Sequence, residues 1–317
     1  MIIAGVKVPK GKKVTVDIPI ARLPTYTEIH LVAHVFRGKK PGPTLLVIGG
    51  VHGDEVNGIE IVKRAERTKM FANLEAGAVI AVPLLNVFGF INYSRGVPGG
   101  KDVNRSFPGS RTGSLASRVA YAFRKEILPH VDFALDFHTG GGAIYNFPQA
   151  RAYRDDPKSI QLADEFGMPL MIKGGLVNRS LRKTAHKMGI PMVVFEGGES
   201  LRMDEFSIEA GLQGIQRVLV ARKMVIGEAI EAKSILIEDG TWLRASKSGM
   251  FKCLKQAGDV IKKGDVLGTI SGPYGNFEVK VKARKDGIIY GHNNQPVVNR
   301  GSALFHIGYP TENISEV

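Results

Sequence analysis

Residues 44–55 read TLLVIGGVHGDE, and they indicate the fold class of the chain. The run Thr44–Ile48 is almost entirely apolar, which is typical of a strand covered on both faces by helices. A glycine-rich turn follows, and beyond it apolar residues recur on one side of a predicted helix at Val56, Ile59, Val62 and Met70. Strand, glycine-rich turn and helix form the basic step of an α/β fold.

The same step repeats along most of the chain. Apolar runs rich in Val and Ile predict further strands at Val14–Ile20, Ile29–Phe36, Ala78–Leu85, Val131–Phe137 and Met192–Phe195. Helical spacing predicts helices at Leu115–Leu128, Leu181–Met188 and Ile208–Ile226. Residues 86–111 are rich in glycine and proline and lack periodicity, and we expect this long loop to be functional. We therefore predict an α/β fold with a mixed sheet flanked by helices.

Near residue 232 the pattern changes to short strands separated by turn residues. Residues 260–267 and 297–304 align at one fixed offset, and each half ends in an isoleucine. Such a two-fold repeat of hairpins predicts a small, quasi-symmetric β-barrel, which resembles the biotinyl/lipoyl-type barrel. The predicted domains are a catalytic α/β domain at residues 1–232 and the barrel at 233–317.

The composition is that of a globular protein of 317 residues, with 44% hydrophobic and 23% charged residues. A net charge of +13 suggests nucleic acid, an anionic membrane or an acidic small substrate as partner. The excess is spread over both predicted domains, which favours the small substrate. A single cysteine, Cys253, excludes an intrachain disulfide. Without a leader or an apolar run of about 18 residues, we expect a cytoplasmic protein that binds no membrane.

Two predicted strand ends carry histidine in a glycine-rich turn. His52 and Glu55 follow the first strand, and Asp136-Phe137-His138 ends a later one. In open α/β sheets, sites gather at the carboxyl ends of strands, so these side chains can meet at one point. Two histidines and one glutamate, with a position free for water, form a typical catalytic zinc site. We predict one Zn²⁺ per chain, although other divalent ions bind such ligands. Asp136 lies on the same face of its strand as His138 and either orients a ligand or is a capping or solvated carboxylate.

Further candidates follow the same logic. Glu196 lies at the end of a predicted apolar strand and is followed by two glycines. A carboxylate at such a strand end can take the proton of an attacking water and return it to a leaving amine. Glu199 is its rival in the same loop. Within the long loop, Asn104 and Arg105 form a plausible clamp for an acid group of a substrate.

The order of these motifs resembles the succinylglutamate desuccinylase/aspartoacylase family, the deacylase branch related to zinc carboxypeptidases. The resemblance rests on His52-x-x-Glu55, on Arg95 upstream of Asn104-Arg105, on Asp136-Phe137-His138-Thr139 and on Glu196. The two-domain layout also fits.

The resemblance implies a role for each motif residue. His52, Glu55 and His138 would be zinc ligands, and Glu196 would be the general base and acid. Arg95 would polarise the scissile carbonyl, and the substrate carboxylate would be held by Asn104 and Arg105. The sequence departs from the family pattern at Val87, where proline is frequent, and in extra glycines between Arg95 and Asn104. The second departure suggests a substrate different from those that name the family.

We therefore predict a zinc-dependent hydrolase that cleaves the amide bond of an N-acyl amino acid or a related small carboxylate. The closest alternative is a metallocarboxypeptidase acting on peptide ends. A carrier protein with a modified barrel lysine is disfavoured, because the hairpin tip at residues 271–277 contains no lysine. A nucleic-acid binder is suggested by charge alone and is not expected, and a homo-oligomer remains open. We predict a packed or solvated environment for the remaining histidines, namely His30, His34, His130, His186, His292 and His306.

Overall fold

The computed structural model describes residues 1–310; the remaining residues of the predicted barrel domain, 311–317, lie outside the described part. The strands are β1 (Ile2–Ile3), β2 (Val6–Lys7), β3 (Lys13–Arg22), β4 (Glu28–Arg37), β5 (Lys40–Ile48), β6 (Ala76–Val82), β7 (Phe133–Gly140), β8 (Ile144–Tyr153), β9 (Leu170–Gly174), β10 (Met192–Glu199), β11 (Ile235–Arg244), β12 (Gly249–Cys253), β13 (Val260–Ile261), β14 (Val266–Ser271), β15 (Glu278–Lys282), β16 (Gly287–Asn293), β17 (Val297–Val298) and β18 (Ala303–Pro310). The α-helices are α1 (Val56–Arg67), α2 (Val87–Ile91), α3 (Leu115–Glu126), α4 (Pro157–Phe166), α5 (Leu181–Lys187) and α6 (Glu205–Ala221). Short 3₁₀ helices lie at Val103–Arg105 and Leu128–His130.

A twelve-stranded mixed sheet forms the centre of the molecule, in the order β13-β16-β18-β11-β9-β8-β10-β7-β5-β6-β4-β3. Its middle strands β6, β5, β7 and β10 run parallel, whereas β8 is antiparallel to β10. The parallel strands are buried, as their continuous apolar runs predict. The predicted α/β class and mixed sheet are confirmed.

Helices cover both faces of this sheet. The helices α1, α4 and α6 pack into one apolar core, and α3 and α5 pack into the other. In the first core, the rings of Phe137 and Phe195 lie 5.4 Å apart and both contact Phe166. Each such pair contributes about 0.5–1.5 kcal/mol beyond burial. This cluster fixes β7 against β10 directly beside their polar ends. Within residues 1–310, none of the helices has the length and apolar character needed to cross a bilayer.

The barrel carries the predicted internal symmetry. The antiparallel pair β12–β14 in the first half corresponds to β16–β18 in the second. The two halves also pair with each other, β12 with β17 and β13 with β16. Phe251, Ile270, Phe305 and Ile307 lie in its common core. The barrel also continues the central sheet, because β11 pairs with β9 and β16 pairs with β8. Backbone hydrogen bonds thus tie it to the α/β part.

Some predicted element bounds are wrong. The helix α1 ends at Arg67, so Met70 lies beyond it, and Ile61 is buried on its inner face where Ile59 was expected. The predicted helix Ile208–Ile226 begins earlier, at Glu205, because Asp204 caps it by accepting a hydrogen bond from the Ser207 N–H. It also ends earlier, at Ala221.

Candidate active site

The chain passes tightly through the turn that carries His52 and Glu55. Gly50 has a φ of +59°, a conformation that glycine adopts without strain. A Cβ at Gly53 would come within 2.0 Å of backbone atoms of α2, so this position also requires glycine. The strands β5 and β7 pair in parallel with Ile48 opposite Asp136, which brings their carboxyl ends to one edge of the sheet.

His52, Glu55 and His138 meet at this edge, as the sequence predicts. Glu55 lies between the two rings, with its Oε1 2.7 Å from His52 Nδ1 and its Oε2 2.7 Å from His138 Nδ1. The two Nδ1 atoms are 3.2 Å apart, and all three side chains are buried. Two imidazole nitrogens and a carboxylate that converge in this way are a candidate metal site.

A carboxylate faces the outer nitrogen of each ring. Asp102 Oδ1 lies 3.2 Å from His52 Nε2, and the fully buried Asp136 has its Oδ2 3.0 Å from His138 Nε2. The second contact is close in distance only, because neither atom has a well-directed hydrogen-bond partner among the described residues. Histidines that bind metals usually present their other nitrogen to a carboxylate, which fixes the ring. The position of Asp136 therefore favours the orienting role over the capping role.

The charges around Glu55 determine its ionisation. Burial raises the pKa of a carboxyl group, but the neighbouring His52 and His138 outweigh it and hold the pKa of Glu55 well below its usual range. Burial likewise lowers the pKa of His138, whereas the carboxylates of Asp136 and Glu55 raise it, and the pKa is raised overall. Glu55 is thus ionised, as metal ligation requires.

The long loop predicted to be functional folds over this cluster and carries Arg95. Arg95 Nη1 lies 3.0 Å from Glu55 Oε1, and its Nε donates to Asp102 Oδ2 at 3.1 Å. Asn86 fixes the loop, since its side chain accepts from Gly89 N–H and donates to the Arg95 carbonyl. The guanidinium of Arg95 is therefore held at the edge of the candidate metal site.

Glu196 lies directly across from His138 in the pairing of β10 with β7. Its Oε2 accepts a hydrogen bond from Asn146 Nδ2 at 3.0 Å, and its Oε1 lies 3.2 Å from Arg151 Nη1. Its rival Glu199 instead accepts from Asn294 Nδ2 and does not line the cavity described next. The structure thus brings Glu196 and not Glu199 to the candidate site.

A cavity of about 330 Å³ opens above these residues. All the site residues predicted from the sequence line it, namely His52, Glu55, Arg95, Asn104, Arg105, His138 and Glu196. Asn104 is tied to the start of α5, because its Oδ1 accepts from Leu181 N–H at 2.8 Å.

Several lining residues were missed by the sequence analysis. They are Asn146, Arg151, Arg182, Trp242 and His306. Burial lowers the pKa of Arg182 to about 10, which leaves it charged at neutral pH. The sequence of β8 does not alternate cleanly between apolar and polar residues, because Asn146 and Arg151 face this cavity instead of solvent. Among these residues, only Trp242 stands out in the sequence, since it is the single tryptophan of the chain.

Comparison with known proteins agrees with this geometry. Residues 41–222, more than half of the chain, match the succinylglutamate desuccinylase/aspartoacylase catalytic domain. The chain belongs to this family. The resemblance predicted from the motifs is thereby confirmed, and as a member of a deacylase family the chain is an enzyme that hydrolyses non-peptide amide bonds.

Relatives of this family member match most of its length. The N-alpha-acetyl-L-2,4-diaminobutyric acid deacetylase of Halomonas elongata is 28% identical over 298 residues, covering 89% of this chain and 86% of the relative. The product-bound ectoine utilization protein EutE of Ruegeria pomeroyi has a TM-score of 0.84 at 22% identity, over 95% of this chain and 97% of that one. A succinylglutamate desuccinylase/aspartoacylase from Rhodobacter sphaeroides gives a TM-score of 0.84 at 23% identity, over 98% and 99% of the two chains. The two structures show a shared fold.

Proposed function

We propose that this family member is a zinc-dependent hydrolase that cleaves the amide bond of an N-acyl amino acid or a related small carboxylate. One observation carries the proposal: a buried candidate metal site and a neighbouring carboxylate, Glu196, line the same cavity. The site consists of His52, Glu55 and His138, and Glu196 lies opposite His138 in the sheet. The deacetylase named above, which its name describes as acting on an N-acetylated amino acid, supports the substrate class. We further propose residues 1–232 as the catalytic domain and 233–317 as the barrel domain.

The three buried side chains fit a metal ion by the chemistry of their donors. Both Nδ1 atoms and the Glu55 carboxylate face one another, and a carboxylate faces each outer ring nitrogen. Zinc is the natural occupant of a site with two histidines and one glutamate, at one ion per chain. Bound by His52, Glu55 and His138, it would supply an activated water and polarise a carbonyl.

Glu196 performs the proton transfers in this proposal. Its carboxylate takes the proton of the attacking water and then delivers it to the nitrogen of the leaving amine. Asn146 holds one carboxylate oxygen and Arg151 holds the other, so the group is fixed in orientation. The leaving nitrogen must therefore lie beside Glu196.

The arginines of the cavity bind the negative charges of the substrate. Arg95 donates to the oxygen on which charge develops, and Asn104 with Arg105 binds the substrate carboxylate. Together with Arg151 and Arg182, they make the cavity suited to an anion.

Replacement of Arg95 by alanine is expected to lower kcat by about a hundredfold or more, because one donor to a developing oxyanion contributes roughly 3–4 kcal/mol. Arg95 is not one of the three proposed metal ligands, so bound metal should persist. Acid release and metal content are measured together. Arg111→Ala, at an exposed arginine outside this cavity, is the control. Near-normal turnover in Arg95→Ala would remove Arg95 from the mechanism.

Asn146→Ala is expected to lower kcat by about ten- to a hundredfold, since a hydrogen bond to a charged group contributes about 1.5–3 kcal/mol. Asn146 contacts the base and not the proposed clamp for the substrate carboxylate, so KM should change little. Steady-state kinetics separate the two constants, with the exposed Asn299→Ala as control. A rise in KM at constant kcat would mean that Asn146 binds substrate and does not position Glu196.

The proposal is tested by comparing two classes of substrate. The wild-type protein is incubated with N-acetyl and N-succinyl amino acids and, separately, with peptides. Release of free acetate or succinate, with peptides intact, is the expected result. Release of C-terminal residues from peptides would instead establish a metallocarboxypeptidase.

A further inference from the structure

Two aromatic side chains of the barrel line the catalytic cavity. Trp242 on β11 is paired with His306 on β18, and their rings stack with centroids 4.2 Å apart and an interplanar angle of 14°. We call this pair the aromatic wall. The barrel thus supplies part of the active-site surface.

The aromatic wall is uncharged and firmly held. Burial lowers the pKa of His306 to about 3, and the nearby charge of Arg151 acts in the same direction, so the imidazole is neutral. The hydroxyl of Tyr290 forms a short hydrogen bond with His306 Nε2. Burial raises the pKa of Tyr290, which keeps this hydroxyl protonated. Tyr290 is itself buried in the core, so the ring of His306 has a rigid support.

Strand register places the aromatic wall on the side of Glu196 that faces away from the metal cluster. Asn146, which holds Glu196, pairs with Gly291 on β16, and Gly291 pairs with His306. A Cβ at Gly291 would lie 2.8 Å from Asn146 Oδ1 and 3.4 Å from His306 Cβ. A side chain at Gly291 would therefore fill the space between Asn146 and His306. Trp242 pairs with His306 on the next strand, so it lies one strand further from Glu196.

The direction of the substrate follows from the proton transfer. Because Glu196 protonates the leaving nitrogen, the amino-acid part of the substrate starts at Glu196. With the substrate carboxylate at Asn104 and Arg105, the side chain can extend towards Arg151 and the aromatic wall, which line the same cavity. A cavity of about 330 Å³ lies at the lower end of the range of small-molecule sites, which suits a small acylated amino acid.

We propose that Trp242 and His306 determine specificity by limiting the length of the side chain on the leaving amino acid. The inference rests on the proposed function and deepens it, since it names N-acyl amino acids with short side chains as the substrate class. The acyl group lies on the other side of the scissile bond and does not contact the wall.

Two substrate series test this proposal with the full-length protein. The first carries one acetyl group on alanine, norvaline and 2-aminooctanoate, which differ only in the length of an uncharged side chain. The second carries acetyl, butyryl and hexanoyl groups on alanine. Wild type should strongly prefer the short members of the first series.

Trp242→Ala should raise kcat/KM for the 2-aminooctanoate derivative relative to the alanine derivative by at least tenfold, since one methylene alone is worth about ten- to 200-fold in a fitted pocket. Trp242→Leu, which keeps apolar packing, should shift the ratio in the same direction. Trp242→Phe keeps a smaller aromatic ring and should shift the ratio less than Trp242→Ala does. Tyr274→Ala alters an exposed barrel residue outside the cavity and should keep the wild-type ratio.

The outcomes are distinct. An unchanged side-chain ratio in Trp242→Ala, Trp242→Leu and His306→Ala overturns the proposal. A shift in the acyl series with no shift in the side-chain series overturns it too, because the wall would then face the acyl group. Wild-type release of acetate from N-acetylalanine supports the proposed function independently of either ratio. No acid release from any substrate would contradict the proposed function and, with it, this inference.

Discussion

Glu196→Gln should lower kcat by about a thousandfold while the metal content stays that of wild type. The amide cannot take a proton from water, and general acid–base catalysis by a positioned side chain contributes roughly 10²–10⁴-fold. The substitution keeps the shape of the side chain and can still accept the hydrogen bond from Asn146. Acid release from an N-acyl amino acid and metal analysis on the same sample measure both effects.

Glu199→Gln is the matched control. Glu199 lies at the end of the same strand, but it accepts a hydrogen bond from Asn294, and neither residue lines the cavity. It should retain most of the activity. If the Glu199 variant were inactive and the Glu196 variant active, the two assignments would have to be exchanged. Wild-type activity in both variants would exclude both Glu196 and Glu199 from the proton transfer.

His138→Ala should abolish metal binding and reduce acid release to background. The side chain is one of three proposed ligands, and its loss leaves the buried carboxylates of Glu55 and Asp136 without their shared partner. Breaking a buried charge pair destabilises a protein by about 3–5 kcal/mol, so the variant is also examined by thermal unfolding. The conservative His138→Asn variant, which keeps a polar side chain there, should lose the metal as well.

His130→Ala is the control for this pair, since His130 is a partly exposed histidine that follows Pro129 and lies outside the cavity. It should retain one metal ion per chain. A folded His138→Ala protein with wild-type stoichiometry would exclude His138 as a ligand.

Much of the fold and of the candidate site could be predicted, because the strands and the turns that carry the site residues have recognisable local sequence patterns. The run Thr44–Ile48 is buried on both faces, and the glycines after it are required by the tight turn that carries His52. Parallel pairing then brings the ends of β5, β7 and β10 together, so residues distant in sequence meet. The strand and its turn follow from local sequence, and the meeting of the three strand ends follows from the general rule that sites in α/β sheets lie at the carboxyl ends of the strands.

The remaining features depend on contacts between distant parts of the chain. The helix α6 ends at Ala221, yet Val225 and Ile226 continue the apolar pattern, so periodicity alone extended it too far. His306 was predicted to be packed or solvated; it is packed, but it also lines the catalytic cavity. That role depends on the register of Asn146, Gly291 and His306 across three strands, which no local pattern specifies.

In the proposed function, one metal ion, bound by His52, Glu55 and His138, is required for amide hydrolysis. The most direct measurement is a titration of zinc into chelator-treated protein, with bound metal and acid release determined at each addition. Both should rise together and level off at one ion per chain. Full acid release from metal-free protein, or bound zinc that restores no activity, would contradict this requirement.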